Sequence, residues 1–393
     1  MQISTFLKAI LPLSSKKREQ WDSTKPYLSQ EDLKELKTLL KTGKIFISQR
    51  DTELSDSLKI KSSYPQIFFN QENPSPELKE RVEFLNDKIK KAAKRKQFEN
   101  FARHSFEILP EIIAPNILGF EEVKKVLAAQ LFSTDRLHLL IIGDPSTGKT
   151  ELIRGAQELS PISSFGLGSG ISKAGLSMTV SGKQVVKGLL PLASGGVCAI
   201  DELNLIKQDD LGALYNAMEK GFVSYDKANT HKTLSADVRV MATANPKSKK
   251  FLGKSPKFIR NQIPFDSALL SRFHIIAVVL RPDADKFAAI ASSVIRESKQ
   301  FLTEKDKEFI KDFIEFSKGI SVDFPKSLDA YVKEFAKEIR ENEDKMVVEA
   351  SPRHIVGIVR LAKAFARMRL SKEASSEDIK EAIRLFKKVM YIG

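Results

Sequence analysis

One eight-residue stretch limits the fold of this chain more than any other: GDPSTGKT, at residues 143–150. It fits the pattern G-x-x-x-x-G-K-[ST], in which glycines let successive backbone N–H groups turn towards phosphate oxygens. The apolar LHLLII precedes it and the helix-like ELIRGAQEL follows it. This context predicts a buried strand, a phosphate-binding loop, and a helix whose N-terminus faces the anion.

The pattern assigns a role to most residues of the loop. Lys149 is expected to reach the β- and γ-phosphates, and the Thr150 hydroxyl is expected to ligate Mg²⁺. The remaining nucleotide-binding positions are Gly143, Asp144, Pro145, Ser146, Thr147 and Gly148. ATP and Mg²⁺ are therefore the predicted cofactors.

A second apolar run, VCAIDE, ends in Asp201 and Glu202 about fifty residues further on, a spacing that suits a P-loop ATPase. Ligands of parallel sheets lie at the carboxyl ends of the strands. Asp201 is therefore predicted to hold Mg²⁺ together with Thr150, and Glu202 to polarise the attacking water. An acidic pair that merely caps the next helix would explain this run alone, but not both motifs in order.

Three further polar residues suit a nucleotide site. Asn245 ends the apolar DVRVMATAN and can hold the γ-phosphate or the water, although an Asn before Pro246 is also a common turn former. Arg272 in LLSRFHII and Arg353 after SP are candidate γ-phosphate contacts, because a buried arginine needs an anion. By pattern alone, either arginine is equally compatible with a plain surface position.

The chain separates into three zones, which we take as domains. Residues 1–102 are polar, basic and helix-leaning, whereas residues 103–285 alternate apolar runs with helical patterns, which predicts a parallel sheet with helices on both faces. Residues 286–393 are predicted to be all helical. The helical segments of this last zone are DKFAAIASSVIRES, EKDKEFIKDFIEFSKG, SLDAYVKEFAKEIRE, PRHIVGIVRLAKAFARMRL and SEDIKEAIRLFKKVM.

Residues 221–240, GFVSYDKANTHKTLSADVRV, have the pattern of a β-hairpin with a basic tip that includes Lys227. The net charge of +14, from 64 Lys and Arg against 50 Asp and Glu, favours polyanionic partners. A solvated surface loop is the alternative interpretation of this hairpin. The sequence alone therefore makes Lys227 a candidate contact for a polyanion and no more.

Composition excludes several other classes of site. The single cysteine, Cys198, rules out disulfides and four-cysteine zinc sites within the chain, and the five histidines are scattered. The N-terminal residues lack the features of a signal peptide, and no apolar run is long enough to span a bilayer. We therefore expect an intracellular, soluble protein with no membrane partner.

From about Ile113 to the C-terminus, the run of motifs resembles the minichromosome maintenance (MCM) branch of the AAA+ ATPases. IAPNILGFEEVKKVLAAQLF is similar to the family's lead-in to the P-loop. GDPSTGKT, VCAIDELNLI, ALYNAMEKGFVSYDKAN, TANP and LLSRF follow in the family's order, and SPRHIVGIVRLAKAFARMRLS and SEDIKEAIRLF resemble its lid helices. The resemblance implies an AAA+ P-loop sheet, preceded by a small, mostly helical region and followed by a helical lid.

The resemblance also implies roles. Lys149 would be the Walker A lysine, Asp201 and Glu202 the Walker B pair, and Asn245 sensor 1. Arg272 would be the arginine finger and Arg353 the sensor-2 arginine, both acting on the ATP of the neighbouring subunit in a ring that is usually a hexamer.

For DNA, the resemblance implies that the hairpin before sensor 1 points into the channel of the ring, where Lys227 would contact DNA. The stretch GISKAGLSMTVSGKQVVKGLL is similar to the helix-2 insert and makes Lys183 a second candidate. The implied function is a DNA-dependent ATPase that translocates on or unwinds single-stranded or forked DNA in replication, in the cytoplasm at the nucleoid.

The chain departs from the family in three places. His274 replaces the acidic residue that usually follows LLSRF, and Gly148 stands where the family commonly has Ala. About 100 residues without cysteine precede the resemblance, whereas the family's N-terminal part is larger and often binds zinc, so we expect a divergent or minimal form.

Two other functions stay open at this point. A MoxR-like or chelatase-like AAA+ ATPase would remodel a protein partner. An ATP-locked DNA-binding assembly factor would bind ATP without using it, although Glu202 argues against that interpretation.

Overall fold

The structure, a computed structural model, describes residues 15–51, 54–60, 63–70, 72–181, 184–227, 230–248, 250–253, 255–281 and 302–392. The chain divides into two compact units, Met1–Arg103 and His104–Gly393. Among the residues described, no helix combines the length and the apolar character needed to cross a bilayer.

The first unit packs helices against one face of a two-stranded antiparallel hairpin. Its elements are α1 (Ser15–Thr24), α2 (Gln30–Thr42), β1 (Ile45–Asp51), β2 (Ser63–Phe69) and α3 (Pro76–Ala102). The Asn86 side chain on α3 pairs with both the N–H and the C=O of Ile67, at 2.8 and 2.9 Å, and so ties the helix to β2. Ile45, Ile47 and Ile67 are buried in the shared core. The sequence pattern predicted the helices of this unit but not the β1–β2 hairpin.

The second unit is built around a five-stranded parallel sheet. Its strands are β3 (Leu139–Gly143), β4 (Ser163–Leu167), β7 (Val197–Asp201), β10 (Arg239–Ala244) and β11 (Ile275–Val279). They lie in the order β11–β3–β10–β7–β4, and every neighbouring pair is parallel. All of their residues from Val197 to Asp201 and from Arg239 to Ala244 are buried, as near-continuous apolar runs predict.

Helices and two antiparallel hairpins join these strands. The helices are α4 (Ser105–Ile112), α5 (Glu121–Phe132), α6 (Lys149–Leu159), α7 (Lys173–Leu176), α8 (Leu189–Leu192), α9 (Gly212–Lys220), α10 (Pro256–Gln262) and α11 (Ser267–Leu270). The hairpins are β5 (Met178–Ser181) with β6 (Gln184–Lys187), and β8 (Phe222–Lys227) with β9 (Thr230–Ser235). The second hairpin lies where the sequence pattern predicts one.

The C-terminal part that the structure describes is all helical, which together with the parallel sheet confirms the predicted fold class. Its helices are α12 (Glu304–Lys318), α13 (Asp329–Glu341), α14 (Pro352–Met368) and α15 (Ser376–Met390). The α15 helix starts at a capping box formed by Ser375 and Asp378 and packs against β11. The helix predicted at residues 285–298 lies outside the described residues.

Candidate functional site

The strand order brings the predicted chemical groups to one edge of the sheet. Because β10 lies between β3 and β7, the loop after β3, Asn245 after β10 and Asp201 at the end of β7 are neighbours. The register pairs Ala244 with Ile142 and Ala242 with Ile200, so the three strands end at nearly the same level. Ligands of parallel sheets bind at this carboxyl edge.

Two left-handed residues shape the loop that joins β3 to α6. Ser146 has a φ of 62° and Gly148 a φ of 81°, a conformation that turns successive N–H groups towards one side. A Cβ on Gly148 would also lie 2.9 Å from the Ile117 side chain, in the segment before α5. Local geometry therefore requires glycine at position 148.

Lys149 begins α6 and its side chain folds back over the loop. Its ammonium donates to the carbonyl oxygens of Gly143, at 2.9 Å, and Asp144, at 2.6 Å. Burial lowers the pKa of Lys149 to about 8, against the opposing influence of Asp201, Asp144 and Glu202. A desolvated cation beside the phosphate-binding loop is suited to a phosphate.

Asp201 connects this loop to the sheet. One carboxylate oxygen accepts from the Thr150 hydroxyl at 2.8 Å, and the other accepts from the Thr243 hydroxyl on β10. Thr243 Oγ1 in turn accepts from the backbone N–H of Glu202 at 3.0 Å. Glu202 itself has a left-handed φ of 52°. The sequence pattern identified Thr150, Asp201 and Glu202 but missed Thr243, whose only signal is its place two residues before Asn245.

These residues fit a magnesium–nucleotide complex. The Thr150 hydroxyl and the Asp201 carboxylate converge at hydrogen-bond distance, and this oxygen pair suits a hard cation that keeps several waters. The loop N–H groups and Lys149 would take the phosphates.

Asn245 and Asp144 are held by other partners at the same edge. The backbone N–H of Asn245 donates to the Asn204 side chain at 3.1 Å, and Asn204 lies just after Asp201 and Glu202. The Asp144 carboxylate accepts from the backbone N–H groups of Phe251, at 2.7 Å, and Arg281, at 3.3 Å. Asp144 therefore fixes the segments after β10 and β11, and its own backbone N–H donates to the Val279 carbonyl at 3.3 Å.

The structure separates Arg272 from this edge. Arg272 precedes β11, whose first residue, Ile275, pairs with Leu139 at the start of β3, whereas its last residue pairs with Gly143. The strand between them is about 13 Å long. Arg272 is held at the far edge, where it forms an ion pair with Glu219 at 3.0 Å and lies 4.6 Å above the Tyr215 ring.

Arg353, in the first turn of α14, lies near the same pair. Burial lowers the pKa of Arg353 from its usual value, with Glu219 opposing and Arg272 adding to this effect. The Glu219 carboxylate therefore pairs with Arg272 and also lies near enough to Arg353 to affect its pKa, at the edge opposite to Lys149. The structure brings together Lys149, Thr150, Asp201, Glu202 and Asn245, and it places both arginines elsewhere.

A buried imidazole, His138, clamps the base of the β8–β9 hairpin. Its Nε2 donates to the carbonyl of Met218 on α9, and its Nδ1 accepts from the N–H of Val240 on β10, each at 3.1 Å. Burial lowers the pKa of His138 to about 3, so the ring is neutral. The helix before the hairpin and the strand after it are thus fixed to one side chain.

His274, two residues after Arg272, faces two donors. Its Nδ1 lies 3.1 Å from the N–H of His138, and its Nε2 lies 2.7 Å from Nη1 of Arg360 on α14. Burial lowers the pKa of His274 well below its usual value, with His138 and Arg360 adding to the effect. A neutral imidazole accepts at only one nitrogen, so the ring accepts from only one of these two donors in either tautomer. Nη1 of Arg360 also donates to the Arg136 carbonyl.

Of the two candidate DNA contacts, the structure describes the backbone of Lys227 and does not describe Lys183. Lys227 is the last residue of β8, paired with Thr230 at the tip of the hairpin. Beside it, Asp226 contacts His231 at 2.8 Å on the exposed part of the hairpin. Lys183 lies outside the described residues, between β5 and β6.

Comparison with known proteins gives consistent matches. The family model for the MCM P-loop domain matches residues 94–298, and the model for the MCM AAA-lid domain matches residues 308–390. DNA replication licensing factor mcm7-B of Xenopus laevis is 32% identical over 308 residues, covering 71% of this chain and 42% of that protein. DNA replication licensing factor MCM5 of Arabidopsis thaliana is 30% identical over 70% of this chain and 42% of its own length.

An archaeal relative matches the same share. Minichromosome maintenance protein MCM of Saccharolobus solfataricus is 27% identical over 299 residues, which cover 70% of this chain and 43% of that protein. The match to each of these three relatives thus covers less than half of the relative's length.

The lowered pKa of Lys149 predicts a pH-dependent affinity for MgATP. Phosphates favour the charged ammonium, so the pKa of Lys149 rises on binding. The affinity should be highest below pH 8 and should fall by up to about tenfold per pH unit above it. Calorimetric titration from pH 7 to 9.5 measures this, and Lys149→Arg, which stays charged, controls for titration of the nucleotide. Equal slopes for the two proteins would contradict the prediction.

The two donors at His274 predict that a carboxylate stabilises this position. His274→Asp supplies two acceptor oxygens in a cationic surrounding, whereas His274→Asn has the same shape and only one acceptor. The Asp variant should be more stable than the Asn variant by roughly 1–3 kcal/mol in urea unfolding. An Asn variant that is as stable as the Asp variant would show that the second donor costs nothing.

Proposed function

The chain belongs to the MCM family, and on that premise we propose that it is a ring-forming ATPase that couples ATP hydrolysis to translocation on, or unwinding of, DNA during replication. One observation carries the proposal most directly. Arg272 is paired with Glu219 at the edge of the sheet opposite to Lys149 and Asp201, and Arg353 lies near the same carboxylate. Arginines so placed serve a phosphate that another subunit holds.

Hydrolysis would use the carboxyl edge of one subunit. Bound Mg²⁺, held by Thr150 and Asp201, would neutralise charge on the β- and γ-phosphates. Lys149 would bind the same phosphates. Glu202, which leaves the β7 edge in a left-handed conformation, would orient the attacking water, and Asn245 would hold the water or the γ-phosphate from the adjacent strand end.

The neighbouring subunit would complete the site. Arg272 is paired with Glu219 in the isolated chain, and an incoming γ-phosphate would compete with that carboxylate for the guanidinium. Arg353 would contribute a second positive charge beside it. In a closed ring each interface repeats the same contact, so every subunit both binds ATP and completes a neighbour's site.

Two connections support coupling from these sites to the β8–β9 hairpin. Glu219 lies in the last turn of α9, and only Lys220 and Gly221 separate this residue from β8. On the other side, β10 runs from the clamp at Val240 to Asn245 at the nucleotide edge. A shift of Glu219 or of β10 would therefore move the base of the hairpin, because strands and helices transmit displacement as rigid elements.

The hairpin tip would contact DNA. A lysine acts as a point charge, suited to phosphate and indifferent to base sequence, so Lys227 would supply such a contact. Lys183 would be a second such contact. The protein would act in the cytoplasm at the nucleoid, as a ring that is a hexamer in its usual form.

Remodelling of a protein partner is less well supported. The matches to the MCM P-loop and MCM AAA-lid models favour a DNA motor over the MoxR-like and chelatase-like alternative. In the assembly-factor alternative, ATP is bound but not hydrolysed. The Glu202 carboxylate would then have no role.

Stimulation of ATPase activity by DNA tests the proposal. Single-stranded DNA should raise turnover several-fold, and Lys227→Ala should remove most of this increase because the tip loses its phosphate contact. Lys220→Ala removes an equal charge at the C-terminal end of α9, away from the hairpin tip, and should retain the stimulation. Steady-state ATPase assays, read beside the mass in solution with an ATP analogue, measure both effects. An assembled protein whose turnover ignores DNA would refute DNA coupling.

Mixing two inactive variants tests the shared site. Glu202→Gln lacks the water-orienting carboxylate and Arg272→Ala lacks the arginine finger, so each alone should be nearly inactive. In rings mixed at equal amounts, about a quarter of the interfaces combine an intact Glu202 with an intact Arg272. ATPase activity should therefore reappear, up to about a quarter of the parent rate. A mixture no more active than its components would place both residues in one subunit's site.

A further inference from the structure

The first unit carries an exposed aromatic pair that its own core does not use. Phe46 on β1 and Phe68 on β2 are direct cross-strand partners, and each is 37% exposed. Their ring centroids are 5.3 Å apart, with 22° between the ring planes. The outward face of a half-buried hairpin normally carries polar residues, so this pair departs from the expected pattern.

The hairpin does not need this pair to hold its register. At the same end, the N–H of Asn70 donates to the Lys44 carbonyl at 2.8 Å. The Asn70 side chain also donates to the carbonyls of Gly43, at 3.0 Å, and Ile45, at 3.3 Å. On the inner face, Ile45 and its neighbours are buried against the helices. Cross-strand aromatic packing adds at most a small stabilisation to a strand pair that is already fixed.

No described lysine or arginine covers the rings of the pair, in contrast to a neighbouring exposed phenylalanine. Phe84 on α3 is exposed as well, but Arg81 and Lys88 lie 4.7 and 4.5 Å from its ring centroid. Within the described parts of the chain, no lysine or arginine lies over Phe46 or Phe68. Their outer faces are therefore available to another planar group.

The surroundings of the pair are polar and positively charged. Side chains alternate along a strand, so Lys44, Phe46, Ser48 and Arg50 follow one another on the outward side of β1 and the residue before it. Lys44 and Arg50 are exposed, and Arg50 donates to the Gln66 side chain at 3.3 Å. Residues 1–103 contain 21 Lys and Arg against 14 Asp and Glu, a net charge of +7 that is half of the chain's excess.

We propose that this face, formed by Phe46, Phe68 and the flanking Lys44 and Arg50, binds single-stranded nucleic acid. Bases would stack on the two rings, and the cations would contact phosphates on either side. From Phe46 to Arg50 the strand extends about 13 Å, which accommodates a short run of nucleotides. Stacking needs unpaired bases and accepts any of them, so a duplex would not bind here.

The size of the patch argues against a protein partner. A phenylalanine offers roughly 150–250 Å² of surface, so two rings at 37% exposure present roughly 150 Å² together. A stable protein interface buries about 800 Å² on each partner around an apolar core. The exposed area of the two rings is far smaller than such an interface. It is, however, large enough for one or two stacked bases.

This site lies outside the P-loop and lid segments and does not depend on ATP. Anisotropy of fluorescein-labelled oligo(dT), measured without nucleotide on the full chain, tests it. The double variant Phe46→Leu/Phe68→Leu keeps apolar volume but removes the ring faces, and it should weaken binding by about tenfold or more. Phe46→Trp/Phe68→Trp, which keeps stacking, should bind at least as tightly as the parent. Each double variant is also made with Lys227→Ala, so that the proposed contact at the tip of the β8–β9 hairpin does not contribute to binding.

Two further arms separate the outcomes. Arg50→Ala should lower the dependence of affinity on salt by about one phosphate contact. Binding of a duplex of the same sequence should not respond to either double variant. The inference is overturned if the double leucine variant binds oligo(dT) as tightly as the parent does. It is also overturned if either double variant differs from the parent in mass in solution without DNA, because this face would then be a contact between copies of the chain. Equal losses in the leucine and tryptophan variants would likewise overturn it, since stacking would then not matter.

Discussion

The bidentate use of Asp201 is the interaction on which the rest of the site depends. One carboxylate oxygen holds Thr150 in the first turn of α6, and the other holds Thr243 near the carboxyl end of β10. The phosphate loop, the strand that carries Asn245 and the end of β7 are thereby fixed to one side chain. Because Thr243 also accepts the Glu202 N–H, the backbone of the proposed water-orienting residue is placed by the same network. Loss of one oxygen would release either α6 or β10 from the end of β7, and loss of the whole carboxylate would release both.

The sheet separates the two halves of the proposed reaction. Its carboxyl edge gathers Lys149, Asp201 and Asn245, whereas the opposite edge holds Arg272 with Glu219 and the base of the hairpin. An event at one edge reaches the other only through elements that span the sheet. β10 is such an element, since His138 holds Val240 at its start and Asn245 follows its end. A neutral, buried imidazole gives this clamp a strength that does not vary over the physiological pH range.

Sequence patterns predicted the carboxyl edge well because a motif fixes backbone geometry as well as residue type. Lys149 and Thr150 follow from the loop, and Asp201 and Asn245 follow from apolar runs that can only be parallel strands. The partners of the distant arginines could not be predicted, since Glu219 meets Arg272 through tertiary packing across 53 positions. The β1–β2 hairpin was also missed. IFISQRD alternates as a strand should, but Phe46 faces outward and hides the alternation of polarity.

The two kinds of DNA contact proposed for this chain share a property that suits motion along a strand. Lysine on phosphate and phenylalanine on a base face both bind without reading sequence. A base-specific contact worth 1.4 kcal/mol would hold the protein about tenfold longer at its preferred site. A motor driven by one ATP at a time would then pause wherever that sequence occurred. In the proposed motor, contacts that depend only on charge and on aromatic surface would keep each step nearly equal. The direction of movement would then be set by the order in which the subunits hydrolyse ATP.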